Sequence, residues 1–249
     1  MKENRVMTSP SVTTDVDSGS FVTYWTNQRK EPLTTLRNRP SGPAVTISDQ
    51  TGAGAHEISN RLAALLQARE PEDAPRWAVY DRLLVEEMLK EHHLPNRLAK
   101  LMPEKRRSYL EDVLDEIAGL RPPSWELVPL LIKTIQHLAG SGHVILVGRG
   151  AGLVTGGMPN VFHVRLVASL PKRIERVQEL ENLSQKDAAR FIAKTDRGRG
   201  RFAEAHFHGR LDDDLRYHMV LNTDLMPLPD AAELIADGAL KCFHDLTPA

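Results

Sequence analysis

With 249 residues, a formal net charge of −1, 41% hydrophobic and 26% charged residues, the chain has the length for one sizeable α/β domain plus a tail. So balanced a charge gives no global attraction to nucleic acid or to an anionic membrane, and any anion site must come from local clusters of basic residues. Cys242 is the one cysteine, which excludes an internal disulfide and argues against a cysteine-based zinc site. No apolar run approaches the ~18 residues of a membrane-spanning helix, and the start has no basic-then-apolar leader pattern. A soluble, cytoplasmic protein is the expectation.

Residues 1–42 are rich in Ser, Thr, Asn, Arg and Pro, with few regularly spaced apolar positions, and read as a disordered extension in which only Phe21, Tyr24 and Trp25 are candidates to dock locally. Order begins at Ala44-Val45-Thr46-Ile47-Ser48, a β-branched run that predicts a buried strand. A small-residue turn follows through Asp49 to Ala55. A helix comes next, with Ile58, Leu62, Leu65 and Leu66 at helical spacing. Strand, glycine turn and helix together open a parallel α/β sheet. Trp77 to Asp81 predicts a second strand ending on a carboxylate. The charged stretch 82–123 reads as helical and closes at Gly119 and Pro122-Pro123.

A further helix is predicted over about 125–139. A third strand falls at Val144–Val147 and a fourth at Val161–Val167, with helices near 171–180 and 184–195. Met219-Val220-Leu221 makes a fifth strand and 229–243 the closing helix. Alternating units with continuously apolar strands predict a parallel sheet covered on both faces. No period of 20–50 residues repeats.

Ligands of open parallel sheets bind at the carboxyl ends of the strands, and three features fall there. Gly52-Ala53-Gly54 lets backbone N–H groups approach an anion at the start of the helix near His56. Gly148-Arg149-Gly150 follows the third strand; Arg149 suits an anion, a helix cap or a carboxylate partner. Lys194 to Arg201 is a basic, glycine-interrupted stretch after a helix, suited to closing over phosphates because guanidinium forks grip phosphate oxygens. Asp81, at a strand end, is a candidate metal-side or acceptor-side carboxylate, with a helix N-cap as the plainer role.

The pieces also resemble a known family. Thr46 to Ile58 looks like "ISRQYGSGGREI", Trp77 to Leu84 like "PFYDKELI", Leu146 to Ala168 like "IVGRGA…PN…HVFLVA", and Tyr217 to Thr223 like "YDLVLNT". In order and spacing they are similar to the cytidylate-kinase-like proteins, relatives of cytidylate kinase among the nucleoside monophosphate kinases. The resemblance implies a P-loop NTPase-type five-stranded parallel sheet with helices on both faces, occupying residues 43–249. It implies a helical acceptor-binding insert over 82–123 and a basic lid over 196–209.

On the same basis the donor loop is Thr51, Gly52, Ala53, Gly54, Ala55 and His56, and the acceptor side is Asp81, Gly148, Arg149 and Gly150. Arg149, with Arg197 and Arg201 at the spacing of lid arginines, would carry the catalytic charge. The implied reaction moves the ATP γ-phosphoryl, with Mg²⁺, to a nucleoside monophosphate or related small acceptor. Three departures stand out. Ala55 replaces the P-loop lysine and His56-Glu57 the small hydroxyl positions. Gly150 replaces an aspartate of cytidylate kinases, and His218 the aspartate of "YDLVLNT". The missing lysine motivates a second reading, a nucleotide-binding regulatory protein with little or no transfer activity. Nucleic-acid binding through the arginine stretch is disfavoured by the near-zero net charge.

Overall fold

The computed structural model describes residues 42–81 and 127–244. The expected extension before Gly42 and the expected 82–123 insert lie outside the described residues. Everything described belongs to one unit, Arg39–Ala249.

Five strands build one sheet: β1 (Ala44–Asp49), β2 (Ala78–Tyr80), β3 (Val144–Val147), β4 (Val161–Val167) and β5 (Met219–Asn222). The order is β2-β3-β1-β4-β5, with every neighbour parallel. The helices are α1 (Ala55–Gln67), α2 (Leu127–Ser141), α3 (Ala151–Val154), α4 (Leu170–Glu181), α5 (Gln185–Phe207) and α6 (Leu228–His244), with a 3₁₀ turn at Asp214–Arg216. β1 is central, and Ala44 to Ile47 are buried on both of its faces, the signature of a strand held between helical layers. Its register places Val45 beside Ile145 and Phe162, and Ile47 beside Val147 and Val164. That face packs on Ile58, Leu62 and Leu66 of α1 and on Ala231, Ile235 and Ala239 of α6. α2 and α3 meet β1 and β3 from the opposite side.

The opposite face carries polar groups. Thr46 Oγ1 and His163 Nδ1 share a hydrogen bond of 2.7 Å, and the His163 amide donates to His218 Nδ1 at 2.9 Å. Burial, and next the neighbouring His218, push His163 down to about 4, so the imidazole is neutral in the fold near pH 7. Nearby, the Arg165 guanidinium donates to Ser48 Oγ at 3.3 Å and lies over the Tyr217 ring.

The largest difference from the sequence expectation is α5. A helix over about 184–195 followed by a glycine-broken basic loop is expected; the structure carries one helix of 23 residues through Gly198 and Gly200. Two interior glycines cost roughly 1 kcal/mol each. The buried row Ala188, Ile192, Gly198, Phe202 and Ala203 continues across them, and its packing holds the helix together. At the start, Ser184 Oγ accepts from the Asp187 amide, a regular N-cap.

Candidate functional site

A cleft of about 770 Å³ opens above the carboxyl ends of β1 and β3, within the ordinary range for small-molecule sites. Its floor is the turn between β1 and α1. Gly52 and Gly54 sit at φ +85° and +94°, left-handed positions that glycine enters without strain. A Cβ on Gly52 would lie 2.7 Å from the Arg173 carbonyl oxygen, so helix α4 leaves no room for a side chain there.

The carbonyls of this loop are tied down from below. Thr223 Oγ1 donates to the Ala53 carbonyl at 2.9 Å, and Arg176 grips Thr223 Oγ1 and its carbonyl at 2.9 and 2.8 Å. The Thr51 amide donates to Asp196 Oδ1 at 2.9 Å, while Arg173 Nη1 bonds Asp196 Oδ2 at 2.6 Å and the Thr51 carbonyl at 3.3 Å. With the carbonyls held below, the donors are left above. Among the described residues no acceptor meets the amides of Gly52, Gly54, Ala55, His56 or Glu57, and no side chain caps α1. Open N–H groups at a helix N-terminus are a ready anion site.

The second turn, after β3, is built differently. Gly148, Arg149 and Gly150 all have positive φ, at 71°, 52° and 70°. Arg149 alone pays for that conformation, about 1–2 kcal/mol for a residue with a Cβ. A Cβ on Gly150 would overlap the ring of Phe207, at the end of α5. The space that an aspartate side chain would take at Gly150 therefore holds a phenylalanine. That packing explains why glycine stands there.

Charge in the cleft comes from several elements. Lys172 and Arg176 of α4, Arg199 of α5, and Arg149 line it, facing Asp49, Glu57 and Asp81 among others. Arg199 Nη1 bonds Asp49 Oδ1 at 3.1 Å and the Asp49 carbonyl at 3.2 Å. Burial raises the Asp49 carboxyl above its ordinary value; Arg199 pulls it back, and Asp81 and Asp196 push it further up. His56 Nδ1 stands 3.6 Å from Asp81 Oδ2, and its Nε2 is 3.3 Å from Asn60 Nδ2.

Most of the expected site residues converge here. Thr51, Gly52, Gly54, Ala55, His56, Asp81, Gly148, Arg149 and Gly150 line the one cleft, with Ala53 buried in the loop beneath it. Arg197 and Arg201 are not brought in: both are exposed and neither lines the cleft. The reason is helical phase. At about 100° per residue, positions two before and two after Arg199 point away from whatever Arg199 faces, while Thr195, Phe202 and Ala203 share its side and do line the cleft. Sequence reasoning missed Arg199, Asp49, Arg173 and Asp196. The apolar spacing Ala188, Ile192, Phe202, Ala203, run through the glycines as one helix, would have found Arg199.

A nucleoside triphosphate fits what is present: the open amides suit its phosphates, and buried Thr51 Oγ1 has no hydrogen-bond partner among the described residues. Among those residues no group of three or more His, Cys, Asp or Glu forms a metal site by itself. Mg²⁺ at such sites commonly binds substrate phosphates plus one or two carboxylates, and Asp81 is such a carboxylate on the cleft lining.

Residues 44–225 match the cytidylate kinase-like family. The chain belongs to that family. The sheet order, the glycine loop after β1 and this match make it a member with a P-loop kinase fold. Among solved structures, this cytidylate kinase-like chain resembles an uncharacterized protein from Eubacterium ventriosum, with a TM-score of 0.57 and 17% identity over 78% of this chain and 96% of that one. Shikimate kinase from Bacteroides thetaiotaomicron aligns with a TM-score of 0.41 and 15% identity, covering 82% and 98%. A uronate isomerase from Corynebacterium glutamicum is 32% identical over 105 residues, 42% of this chain. The matched stretch spans 20% of that protein's length. No helix among the described residues is long and apolar enough to cross a membrane.

Proposed function

We propose that this cytidylate kinase-like protein is a phosphotransferase that moves the γ-phosphoryl of ATP, with Mg²⁺, to a nucleoside monophosphate or a related small acceptor. The observation that carries the reading is the row of amides from Gly54 to Glu57, open to the cleft at the start of α1. On this reading Thr51 to His56 hold the donor phosphates. Asp81 and the Gly148–Gly150 turn, with Arg149, form the acceptor side. Phosphoryl transfer asks little covalent chemistry of a protein; it asks for alignment and for neutralisation of charge on the moving group. Arg197 and Arg201 join only if α5 turns or unwinds to bring them in.

One observation favours a second reading, a nucleotide-binding regulatory protein. Ala55 stands, buried, where a P-loop lysine belongs. Loss of one well-placed electrostatic stabiliser costs on the order of 10²–10³ in rate. A single experiment separates the readings: purified full-length protein with ATP, Mg²⁺ and a panel of small acceptors, followed by ADP release and by calorimetric ATP binding. The phosphotransferase reading expects ADP release that depends on one acceptor. ATP binding without acceptor-dependent ADP selects the regulatory reading, and absence of ATP binding overturns both.

A further inference from the structure

The cleft holds one arginine of the Lys194–Arg201 stretch that the spacing of lid arginines did not single out. Arg199 uses one nitrogen, Nη1, for both of its bonds to Asp49. Its Nε and Nη2 have no acceptor among the described residues. The side chain lines the cleft and is about one-third exposed (34%), whereas Asp49 is nearly enclosed at 10%. Asp49 is the last residue of β1, directly before the glycine loop, so its backbone position is fixed by the centre of the sheet. The pair therefore places one edge of a guanidinium on a rigid support and leaves the other edge free in the cleft that the open amides also line.

We infer that Arg199 is the phosphate-binding cation that stands in for the absent lysine of the P-loop, and that Asp49 is its positioning residue. This rests on the phosphotransferase reading of the same site and deepens it. The ligand class is a polyphosphate anion, the tail of a nucleoside triphosphate. A planar guanidinium offers two parallel donors to phosphate oxygens, and a fork already held on one side loses less freedom on binding. The arrangement also explains a carboxylate in an anion site. By charge alone Asp49 opposes a phosphate; by geometry it aims the group that binds one. These two effects have opposite signs, which makes the inference testable.

The experiment measures binding of ATP and of inorganic tripolyphosphate, each with Mg²⁺, to full-length wild type, Arg199→Ala, Asp49→Asn and the double variant. Calorimetry gives the affinities, and thermal unfolding checks each fold. Arg199→Ala should weaken both ligands by roughly tenfold to a hundredfold, the scale of a charge-assisted bond pair, with part of the loss restored by millimolar methylguanidinium. Asp49→Asn should weaken binding when Arg199 is present and tighten it when Arg199 is alanine, a change of sign within one cycle.

Equal affinity in wild type and Arg199→Ala overturns the inference while leaving the phosphotransferase reading standing. Tighter binding by Asp49→Asn in both backgrounds makes Asp49 a mere repulsive charge and overturns its positioning role. If Asp49→Asn does not fold, methylguanidinium rescue decides: rescue of Arg199→Ala upholds the inference and its absence defeats it. A wild type that binds neither ligand defeats the underlying reading as well.

Discussion

The two walls of the cleft are made of different materials. The P-loop wall offers backbone: amides aimed by two left-handed glycines and fixed from below by Thr223, Arg176 and Arg173. The α5 wall offers side chains, Thr195, Arg199, Phe202 and Ala203, selected by the phase of one helix. A backbone wall tolerates changes in side-chain chemistry but not in conformation, and the side-chain wall the reverse. Alanine at position 55 leaves the first wall's amides open and gives that position no charge; the second wall carries Arg199.

The sharpest way to break the comparison is Gly52→Ala. A left-handed alanine costs about 1–2 kcal/mol, and its Cβ would stand 2.7 Å from a backbone oxygen of α4 that cannot swing aside. A total loss of about 3–4 kcal/mol is expected in urea unfolding, together with loss of polyphosphate binding. A stable Gly52→Ala that still binds would show that the wall does not depend on its backbone conformation.

Next in size is a pH effect seated under the floor and belonging to neither wall. His163 is held near pKa 4 by burial, against 6.5 for an unperturbed histidine. Above pH 6.5 it is neutral folded and unfolded, so it adds no slope. As pH falls from 6.5 to 4 the unfolded chain takes up a proton that the fold refuses. Stability then drops by up to about 3 kcal/mol and levels off below pH 4. Denaturant unfolding across this window should show a smaller slope in His163→Asn than in wild type; identical slopes would remove His163 as the cause.

Asp196→Ala tests the join between the walls. It strands the Thr51 amide and leaves Arg173 Nη1 with only the more distant Thr51 carbonyl. Because Asp196 is about one-third exposed, at 32%, the expected loss is about 2 kcal/mol rather than the 3–5 of a fully buried pair. Hydrogen exchange should quicken in α5 more than in α1. The smallest effects are expected at Arg197→Ala and Arg201→Ala, each changing turnover by less than about threefold, since exposed side chains off the cleft contribute little. A loss on the scale of Arg199→Ala would mean that α5 leaves this helical phase during the reaction.

The same contrast explains what could be read from sequence. All five strands, the glycine turn and the Gly148–Gly150 turn were legible, because strand burial and turn conformation are written in consecutive residues. β4 and β3 fall where Val161–Val167 and Val144–Val147 predict them. α5 was misjudged at Gly198 and Gly200: local propensity said stop, while the burial of Phe202 and Ala203 beyond the glycines said continue. Arg197 and Arg201 were chosen by the spacing of lid arginines in the resembled family, a pattern that carries no information on helical phase. Asp49 and Asp196 were invisible for another reason. Their partners, Arg199 and the Thr51 amide, lie about 150 residues away along the chain, and no local pattern announces a pairing across the sheet edge.

Phe207 lends α5 a last property. Eleven residues before it, about 16 Å along the axis, Asp196 holds the loop between β1 and α1; at Phe207 the same helix fills the space above Gly150 in the turn after β3. As one rigid rod, α5 cannot be lifted from the first turn without drawing its ring out of the second. The loop after β1 and the turn after β3 are thus fastened to the middle and the end of a single helix, and whatever unseats one point is felt at the other.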